Sequence, residues 1–347
     1  MRLRILLSGP GLIGRQHARI VMSRSDCELA GIVAPERAEN LTYASSIGIP
    51  FYSDLNAALN ASKADGVIVS SPNAFHYEQA ITCLQHGVPA LIEKPITDDL
   101  HRAAEIVEVV NKTGVPLLVG HHRTYSPLVA VAKQFLTSNS FGELVALQGS
   151  ALFLKPDHYF EDGPWRKTKG GGPILINMIH EVGLMRTFAG EIRAVQAVQS
   201  NQTRGFEVED TVAMSLEFAN GGLGTFILSD TAASSKSWEM TAGENRAYPF
   251  FPDESCYHIA GTIGSIDFPS LFVKTYSSYE NRSWWESFDT DRLSVERADP
   301  LELQIDHFLN VIRRLAQPRV SAFDGFRNLQ VIDAVNRSIQ SGVKVTL

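Results

Sequence analysis

The sequence predicts an α/β fold in which a doubly wound parallel domain precedes a domain with a large, mostly antiparallel open sheet. Three observations predict it: a length of 347 residues, short apolar runs alternating with amphipathic segments up to about residue 120, and longer alternating runs afterwards. A chain of this length exceeds the size at which one hydrophobic core usually keeps growing. We therefore expect two domains, residues 1–123 and 124–347.

The first domain is predicted from strands that alternate with helices. The apolar runs are residues 3–7, 29–33, 66–69, 90–92 and 117–119, and helical stretches include 16–24, 75–86 and 99–112. Each run is continuously apolar, as burial on both faces of a sheet requires. The alternation indicates right-handed βαβ units and a parallel sheet.

The second domain is predicted from a change of period after about residue 123. A helical stretch at 127–136 is followed by alternating runs at 144–153, 192–199, 211–218 and 222–228, with a Gly-Gly turn at 221–222. Longer alternating runs joined by a tight turn are typical of an antiparallel sheet. Two helices, at about 301–315 and 325–339, are predicted to close the chain, with Pro318 between them.

A glycine-rich segment follows the first predicted strand directly. Gly9, Gly11 and Gly14 form a G-x-G-x-x-G pattern that encloses Leu12 and Ile13 and opens a helical stretch. Such glycines allow a tight turn, close approach of the backbone to a pyrophosphate, and close packing of helix on strand. The anion is then held by the exposed N–H groups of the new helix. The pattern in this context predicts a dinucleotide-binding domain.

Polar clusters follow three further strands of the predicted parallel sheet. They are residues 70–73 (Ser-Ser-Pro-Asn), 93–95 (Glu-Lys-Pro) and 120–123 (Gly-His-His-Arg). Ligands of open parallel sheets bind outside the carboxyl ends of the strands. Each cluster alone is compatible with an ordinary turn or a solvated charge pair, but three at one sheet edge indicate a cofactor site.

Composition excludes several classes of function. Hydrophobic residues make up 44% of the chain and charged residues 20%, and the net charge of −7 gives no basic surface for nucleic acid. Three cysteines are too few for a disulfide framework or a metal cluster, and a reducing compartment fits them. No apolar segment reaches the roughly 20 residues of a membrane span. We expect a soluble cytoplasmic protein with no metal site.

Together these motifs resemble the Gfo/Idh/MocA family of NAD(P)-dependent oxidoreductases. The resemblance rests on the glycine segment, Ser-Pro-Asn at 71–73 with His76, Glu-Lys-Pro at 93–95, Trp165-Arg166, and the Gly-Gly-Gly at 170–172 that leads to His180. It covers nearly the whole chain. It implies an N-terminal Rossmann domain, a C-terminal α/β domain, and oxidation or reduction of a sugar or polyol carbon.

Two residues are predicted to be catalytic. Moving a hydride from an alcohol carbon requires removal of the hydroxyl proton, and therefore a positioned base. Lys94 at a strand end is the first candidate, and the resemblance implies that it contacts substrate. His180 is the second, and the resemblance implies that it transfers the proton. We expect the two side chains to lie within one substrate's width of each other, across a cleft between the domains. The resemblance also favours a cis Lys94-Pro95 peptide bond.

The sequence departs from the family pattern near His180. Asn177 and Gly183 stand where aspartates are commoner. An amide can orient a substrate but cannot carry a charge that raises the basicity of an imidazole. We therefore expect Lys94 and His180 to carry the proton relay, with Glu181 as a possible assistant. The predicted substrate-binding residues are Asn177, Arg123, Trp165 and Arg166.

The choice between NAD and NADP stays open in the sequence. An acidic residue after the second strand favours NAD and a basic one favours NADP, and both Glu36 and Arg37 are present there. The predicted cofactor-binding residues are Gly9, Gly11, Leu12, Ile13, Gly14, Glu36, Arg37, Ser71, Pro72, Asn73, His76, Glu93 and Lys94.

The sequence is compatible with two alternative functions, and it predicts pairing with a second copy of the chain. A dehydrogenase of a non-sugar cyclic alcohol or dihydrodiol would use Phe153, Trp165 and the Trp284-Trp285 loop as an apolar wall. A non-catalytic NAD(P)-binding sensor would explain Asn177 and Gly183. The second domain has alternating apolar strands, including Val195, Val198 and residues 226–228, which we expect to pair with a second copy. The prediction is a homodimer or homotetramer that binds a small, carbohydrate-like substrate.

Overall fold

The computed structural model describes residues 2–347 and divides the chain into two compact units. The first unit contains the residues up to His122 together with Pro300–Leu329. The second contains Arg123–Asp299 and Gln330–Leu347. Each unit has its own sheet.

The first unit is built on a six-stranded sheet in the order β3-β2-β1-β4-β5-β6, and all of its strand pairs are parallel. The strands are β1 (Leu3–Ser8), β2 (Cys27–Val33), β3 (Phe51–Tyr52), β4 (Gly66–Val69), β5 (Ala90–Glu93) and β6 (Leu117–Gly120). The helices between them are α1 (Leu12–Ser23), α2 (Ala38–Ser46), α3 (Leu55–Ser62), α4 (His76–Gln85) and α5 (Leu100–Thr113). The predicted doubly wound parallel fold is confirmed.

The strand order of this sheet reverses between β1 and β4. Chain order runs outward from β1 to β3 on one side and from β4 to β6 on the other. The crevice outside the carboxyl ends of two such central strands is where open α/β sheets bind ligands. The glycine turn follows β1 and the Ser-Ser-Pro-Asn cluster follows β4, so both predicted motifs lie at this switch point.

The second unit is built on a nine-stranded sheet in the order β14-β13-β12-β11-β7-β10-β9-β8-β15. Its strands are β7 (Leu144–Leu152), β8 (Ile192–Ser200), β9 (Thr211–Phe218), β10 (Leu223–Ser229), β11 (Tyr257–Gly261), β12 (Gly264–Phe268), β13 (Phe272–Thr275), β14 (Asp289–Arg292) and β15 (Val345–Thr346). Only the β7–β10 pair is parallel among the described strands of this sheet. The mostly antiparallel second sheet is thereby confirmed.

Helices of the second unit occupy one side of its sheet. They are α6 (Pro127–Leu136), α7 (Asp157–Glu161), α8 (Ile179–Ala189) and α9 (Trp238–Thr241), and a π-helical turn, Ile174–Met178, leads directly into α8. Val195, Met214 and Phe226 point to this side and are buried. The core of the second unit therefore lies between the sheet and α8.

The other face of this sheet is open, and its residues differ from the predicted set. Val195 and Phe226 belong to the core, whereas Val198 is 67% exposed and Ile227 is 39% exposed. Side chains alternate between the faces of a strand, so Val195 and Val198, three residues apart, point to opposite faces. The sequence prediction was wrong in placing residues 195, 198 and 226–228 on one face. The open face carries Val198 and Ile227 among small and polar neighbours such as Gln196 and Ser215.

The last part of the chain returns to the first unit, which differs from the predicted division at residue 123. Helix α10 (Pro300–Ile312) packs on α1, and Gly66 lies so close to Ile312 that a Cβ on the glycine would stand 2.5 Å from Ile312 Cδ1. Two ion pairs, Arg24–Asp306 at 2.9 Å and Arg313–Asp26 at 3.0 Å, join the same elements. The final helix, α11 (Ala322–Ser341), begins in the first unit and ends in the second. Periodicity alone cannot reveal such a return.

Candidate functional site

The glycine turn after β1 has the backbone geometry that close packing demands. Gly9 has φ of 86°, and a Cβ there would lie 2.4 Å from the Ser71 amide nitrogen. A Cβ on Gly14 would lie 2.1 Å from the Gly9 carbonyl oxygen. The Ser70 hydroxyl donates to that carbonyl at 2.8 Å. Gly9 and Gly14 are therefore required for closure of the turn against the end of β4.

Gly11 has a different role, because the space beside it is open. No atom lies within 4 Å of the position that a Cβ on Gly11 would take. Gly11 is the N-cap of α1, no side chain caps that helix, and its first turn carries no acidic residue. The neighbouring Leu12 is 87% exposed. The amino end of α1 thus presents uncapped N–H groups, which fits the pyrophosphate of a dinucleotide.

The cluster after β4 contains exposed residues and is followed by a buried histidine, His76. Ser71, Pro72 and Asn73 are at least partly exposed at the sheet edge. His76 is buried, and its Nδ1 and Nε2 each lie 2.8 Å from a backbone carbonyl oxygen, of Pro95 and Ser71 respectively. Burial lowers the pKa of His76. His76 therefore packs between the two loops, and as a neutral imidazole with one N–H it donates to one of the two carbonyls at a time; its contact with the cofactor stays a prediction.

The Glu-Lys-Pro segment after β5 is anchored by a buried hydrogen bond. His17 Nε2 on α1 lies 2.8 Å from Glu93 Oε1, and the Lys94 amide donates to Glu93 Oε2 at 3.3 Å. Burial raises the pKa of Glu93, but the His17 hydrogen bond and nearby positive charge outweigh it and keep that pKa below its usual value. Glu93 therefore supports the loop, and its contact with the cofactor stays a prediction. The Lys94-Pro95 peptide bond is cis, as considered above.

The residues that bear on cofactor choice lie beyond β2. Glu36 and Arg37 are both exposed, and Arg37 is the N-cap of α2. A third charged group, which the sequence analysis missed, is Arg15 in the first turn of α1. Its guanidinium lies 4.5 Å from the centre of the Tyr43 ring, and its Nε donates to the Pro10 carbonyl at 3.1 Å. These side chains leave the choice between NAD and NADP open.

In the second unit, the three consecutive glycines allow the backbone to pack closely before the helix that carries His180. A Cβ on Gly171 would lie 2.3 Å from the Trp165 carbonyl oxygen, and one on Gly172 would lie 2.3 Å from Glu209 Oε1. The Glu209 carboxylate accepts the Ile174 N–H at 2.8 Å. His180 follows in the first turn of α8 and is 8% exposed. Asn177 lies in the preceding π-helical turn, a feature often found at functional sites.

Asn177 is bound by a lysine that the sequence analysis did not single out. Lys155 Nζ lies 2.8 Å from Asn177 Oδ1 and 3.2 Å from Asp230 Oδ2. Asp230 Oδ1 accepts from Arg204 Nε at 3.0 Å. Lys155 and Asp230 are 11% and 3% exposed at their side chains. Burial lowers the pKa of Lys155, although Asp230 favours its charged form.

A second buried network lies directly next to His180 in sequence. Arg123 Nη1 lies 2.5 Å from Glu181 Oε1, and Arg123 Nη2 lies 2.7 Å from Glu239 Oε1. The Tyr257 hydroxyl donates to Glu181 Oε2. Burial raises the pKa of Glu181. Arg123 is 5% exposed and both terminal nitrogens are paired with carboxylates, so it holds Glu181 and Glu239 together; its contact with substrate stays a prediction. Glu181 is likewise anchored, and its assisting role also stays a prediction.

Trp165 and Arg166 lie on a short 3₁₀ turn, Pro164–Lys167. Trp165 is 56% exposed. The Arg166 guanidinium stacks 3.9 Å from the centre of the Tyr159 ring and donates to the Tyr159 carbonyl. The substrate contacts of Trp165 and Arg166 stay a prediction. The Trp284 side chain, which the alternative dehydrogenase of a non-sugar alcohol would use in an apolar wall, is 86% exposed.

Residues 2–347 contain no group of three His, Cys, Asp or Glu side chains arranged to hold a metal ion. Within that range the three cysteines are buried and unpaired. Over the same residues, no helix combines the length and the apolar character that crossing a membrane requires.

Comparison with known proteins gives matches in both units. Residues 3–121 match the model of an oxidoreductase family with an NAD-binding Rossmann fold, and residues 129–267 match the GFO/IDH/MocA C-terminal domain. D-xylose 1-dehydrogenase (NADP(+)) 2 of Haloferax volcanii is 24% identical over 98% of this chain and 98% of that protein. The scyllo-inositol 2-dehydrogenase (NAD(+)) of Bacillus subtilis is 27% identical over 100% of this chain and 96% of that protein.

Solved structures show the same fold. The WlbA dehydrogenase of Bordetella pertussis, in complex with NADH and UDP-GlcNAcA, has a TM-score of 0.79 and 22% identity, covering 100% of this chain and 99% of that one. An Agrobacterium radiobacter oxidoreductase with NAD+, L-tartaric acid and magnesium has a TM-score of 0.82 and 17% identity, covering 100% and 98%. Since the two family models together match well over half of the residues, this chain belongs to the Gfo/Idh/MocA family of NAD-binding oxidoreductases.

Proposed function

We propose that the protein is an NAD(P)-dependent dehydrogenase that moves a hydride between the nicotinamide and a hydroxyl-bearing carbon of a sugar, polyol or sugar-derived substrate. The observation that carries the proposal is the glycine turn, which is closed at Gly9 and Gly14 and open at Gly11 beside an uncapped helix end. Relatives that match almost end to end are named as dehydrogenases of xylose and scyllo-inositol. They favour a polyhydroxylated substrate.

The first unit supplies the groups that would hold the dinucleotide. The amino end of α1, from Gly11 to Ile13, would bind the pyrophosphate through backbone N–H groups. Glu36 and Arg37 would meet the adenosine ribose, and Ser71 to Asn73 would border the nicotinamide side. His76 contacts the Ser71 and Pro95 carbonyls, and Glu93 accepts the Lys94 N–H. Both side chains therefore support these loops.

The chemical step needs a base at the substrate hydroxyl. A bound, oxidised nicotinamide would supply the acceptor for the hydride, which leaves the C–H bond with its electron pair. The hydroxyl O–H bond breaks at the same time, the carbon becomes a carbonyl, and the proton passes to a protein group. We assign that proton to Lys94 or His180. Lys94 in its charged form would also stabilise negative charge that develops on the oxygen.

The test is a screen for cofactor reduction. Purified protein would be incubated with NAD or NADP and with polyols, aldoses, sugar acids and dihydrodiols, and the reduced nicotinamide would be followed by absorbance. The proposal predicts turnover of at least one sugar, polyol or sugar acid. Turnover of dihydrodiols alone would favour the non-sugar alternative. Tight cofactor binding without turnover across the panel would favour the sensor and overturn the proposal.

We further propose that the protein assembles as a homodimer or homotetramer in the cytoplasm. The open face of the nine-stranded sheet, with Val198 and Ile227 exposed, supports the assembly, because an exposed apolar face of this kind usually pairs. Isologous pairing of such a face gives a symmetric dimer. The buried unpaired thiols of Cys27, Cys83 and Cys256 support a reducing compartment.

A further inference from the structure

The contact between Lys155 and Asn177 fixes which way the Asn177 amide faces. A lysine ammonium donates hydrogen bonds and accepts none. The atom of Asn177 that lies 2.8 Å from Lys155 Nζ must therefore be the carbonyl oxygen Oδ1. The reverse orientation would oppose two donors. Chemistry thus settles an assignment that geometry alone leaves ambiguous for amide side chains.

This orientation leaves Asn177 with donors only. Its Oδ1 is used by Lys155, and its Nδ2 makes no hydrogen bond to any other part of residues 2–347, nor is it sealed from solvent. An aspartate at this position would present an acceptor for a substrate hydroxyl. The amide of Asn177 instead presents two N–H groups, which require an acceptor on the bound molecule.

Two cations extend this donor set around the Tyr159 ring. Lys155 Nζ lies 5.2 Å from the centre of the ring, and the Arg166 guanidinium lies 3.9 Å from the same point. Within residues 2–347 Arg166 forms no ion pair with an acidic side chain. We call Lys155, Arg166 and Asn177 the donor wall. All three groups donate hydrogen bonds, and two of them carry positive charge.

The nearby carboxylates already have partners in this unit. Asp230 is shared between Lys155 and Arg204. Glu239 Oε1 pairs with Arg123, and its Oε2 is buried. Glu209 accepts the Ile174 N–H. None of these three carboxylates forms an ion pair with Arg166, and Asp230 divides its negative charge between two cations.

We propose that the donor wall binds a carboxylate of the substrate, so that the preferred substrates are sugar acids or polyol acids rather than neutral sugars and polyols. A carboxylate has two oxygens that only accept, which complements an amide and two cations that only donate. Lys155 is assigned as a specificity-determining residue. The inference rests on the proposed function, because it names the substrate class of the same site.

The experiment compares matched probes on the enzyme saturated with reduced cofactor. D-gluconate is paired with D-glucitol, and D-galacturonate with D-galactose, because each pair differs chiefly in a carboxylate. Binding would be measured by calorimetry, and kcat/KM would be measured with oxidised cofactor. Charged hydrogen bonds of this kind correspond to roughly 10- to 100-fold in affinity. We expect at least one acid to bind about tenfold or more tightly than its neutral partner.

Three variants separate the donor wall from a general effect of charge. Lys155→Met removes the ammonium at similar volume, and Asn177→Asp replaces donors by an acceptor without changing shape. Both should reduce the ratio of acid to neutral affinity to below about threefold, with unchanged affinity for the reduced cofactor. Lys169→Met is the control, since Lys169 is exposed on the same loop, and it should keep the wild-type ratio.

The outcomes separate this inference from the proposed function. Equal affinity and equal kcat/KM for both members of each pair in wild type would overturn the donor wall while leaving the dehydrogenase intact. A preference for acids that survives in both Lys155→Met and Asn177→Asp would also overturn it. If none of the four probes is oxidised, the binding ratio still decides on the carboxylate, and the wider screen for cofactor reduction decides on the dehydrogenase.

Discussion

His17 Nε2 on the first helix lies 2.8 Å from Glu93 Oε1 at the end of the fifth strand, and both side chains are almost completely buried. Glu93 also accepts the N–H of Lys94. The pair therefore connects the helix whose amino end would hold the pyrophosphate with the loop that carries the proposed catalytic lysine. The proposed cofactor-binding element and the proposed catalytic loop thus share one buried contact within the first unit.

Replacing His17 should affect stability and turnover together. His17→Ala leaves Glu93 Oε1 buried without its partner, and breaking a buried pair in this way typically costs about 3–5 kcal/mol. His17→Gln keeps an N–H donor and should lose clearly less. Urea unfolding would measure the stability, and kcat would report on the Lys94 loop. Equal stability of wild type and His17→Ala would contradict the role assigned to the pair.

Substitutions at two glycines of the turn should have opposite effects. Gly14→Ala places a Cβ 2.1 Å from a backbone oxygen and should lower Tm by more than about 5 °C. Gly11→Ala meets no protein atom within 4 Å, and its φ of −74° suits any residue, so Tm should hold. Its Cβ nevertheless enters the space proposed for the pyrophosphate. We expect a Kd for NADH or NADPH that is about tenfold weaker by calorimetry; an unchanged Kd would place the phosphates elsewhere.

Lys94→Ala and His180→Ala should each lower kcat by about 10²–10⁴. For Lys94→Ala, the Kd of the reduced cofactor should stay within about threefold, because the phosphate contacts are assigned to α1. If both residues serve the same proton transfer, the double variant should lose much less than the product of the two single losses. Steady-state kinetics with a confirmed substrate decides this. Fully multiplicative losses would mean that the residues act in separate steps.

The stability of the second unit should fall as pH rises from the ordinary carboxyl pKa to about 7. Burial raises the pKa of Glu244 to about 7, against the opposing influence of the Ser126 hydroxyl and of Arg123 and Arg297. Between the ordinary carboxyl pKa and about 7, the folded state binds the proton that the unfolded state has released, so unfolding becomes easier with increasing pH. Glu244→Gln should remove this dependence and be more stable above pH 7 by up to about 3 kcal/mol. If the free energies of unfolding of wild type and Glu244→Gln changed with pH in parallel, the assignment would be refuted.

A charge on the open sheet face should disrupt the proposed assembly. Ile227→Arg places a guanidinium at the centre of that face, whereas Leu315→Arg introduces the same charge at an exposed position of the first unit. Light scattering at micromolar concentration should report an oligomer for wild type and the control, and a smaller species for Ile227→Arg. A monomeric wild type would remove the assembly altogether.

The parts of the fold that sequence could predict are those with strong local signals. The first strand, the glycine turn and the first helix are adjacent in the chain, and each carries its own pattern. The four strands between Tyr257 and Arg292 were not predicted, because they are only four or five residues long, and the last of them, Asp289–Arg292, contains no apolar residue. The returning helix, Pro300–Ile312, was predicted as a helix but not as part of the first unit.

The residues of the candidate site also differ in how clearly the local sequence marks them. Lys94 and His180 are marked by neighbouring motifs, so the sequence indicates them directly. Lys155 is not marked, since its partner Asp230 is far away in the chain and only the sheet brings the two together. The ion pairs of Arg123 were not predicted for the same reason: its partners Glu181 and Glu239 are 58 and 116 residues distant. Pairing over such separations leaves no local pattern.

The return of Pro300–Leu329 to the first unit has a consequence for synthesis on the ribosome. Helix Pro300–Ile312 covers Gly66 and the first helix, so the nucleotide-binding half cannot complete its packing until nearly the entire chain has emerged. During that interval, the second half is translated and begins to fold while its predecessor still exposes an apolar helix surface. Release of a truncated product would leave this surface uncovered and open to chaperones or aggregation.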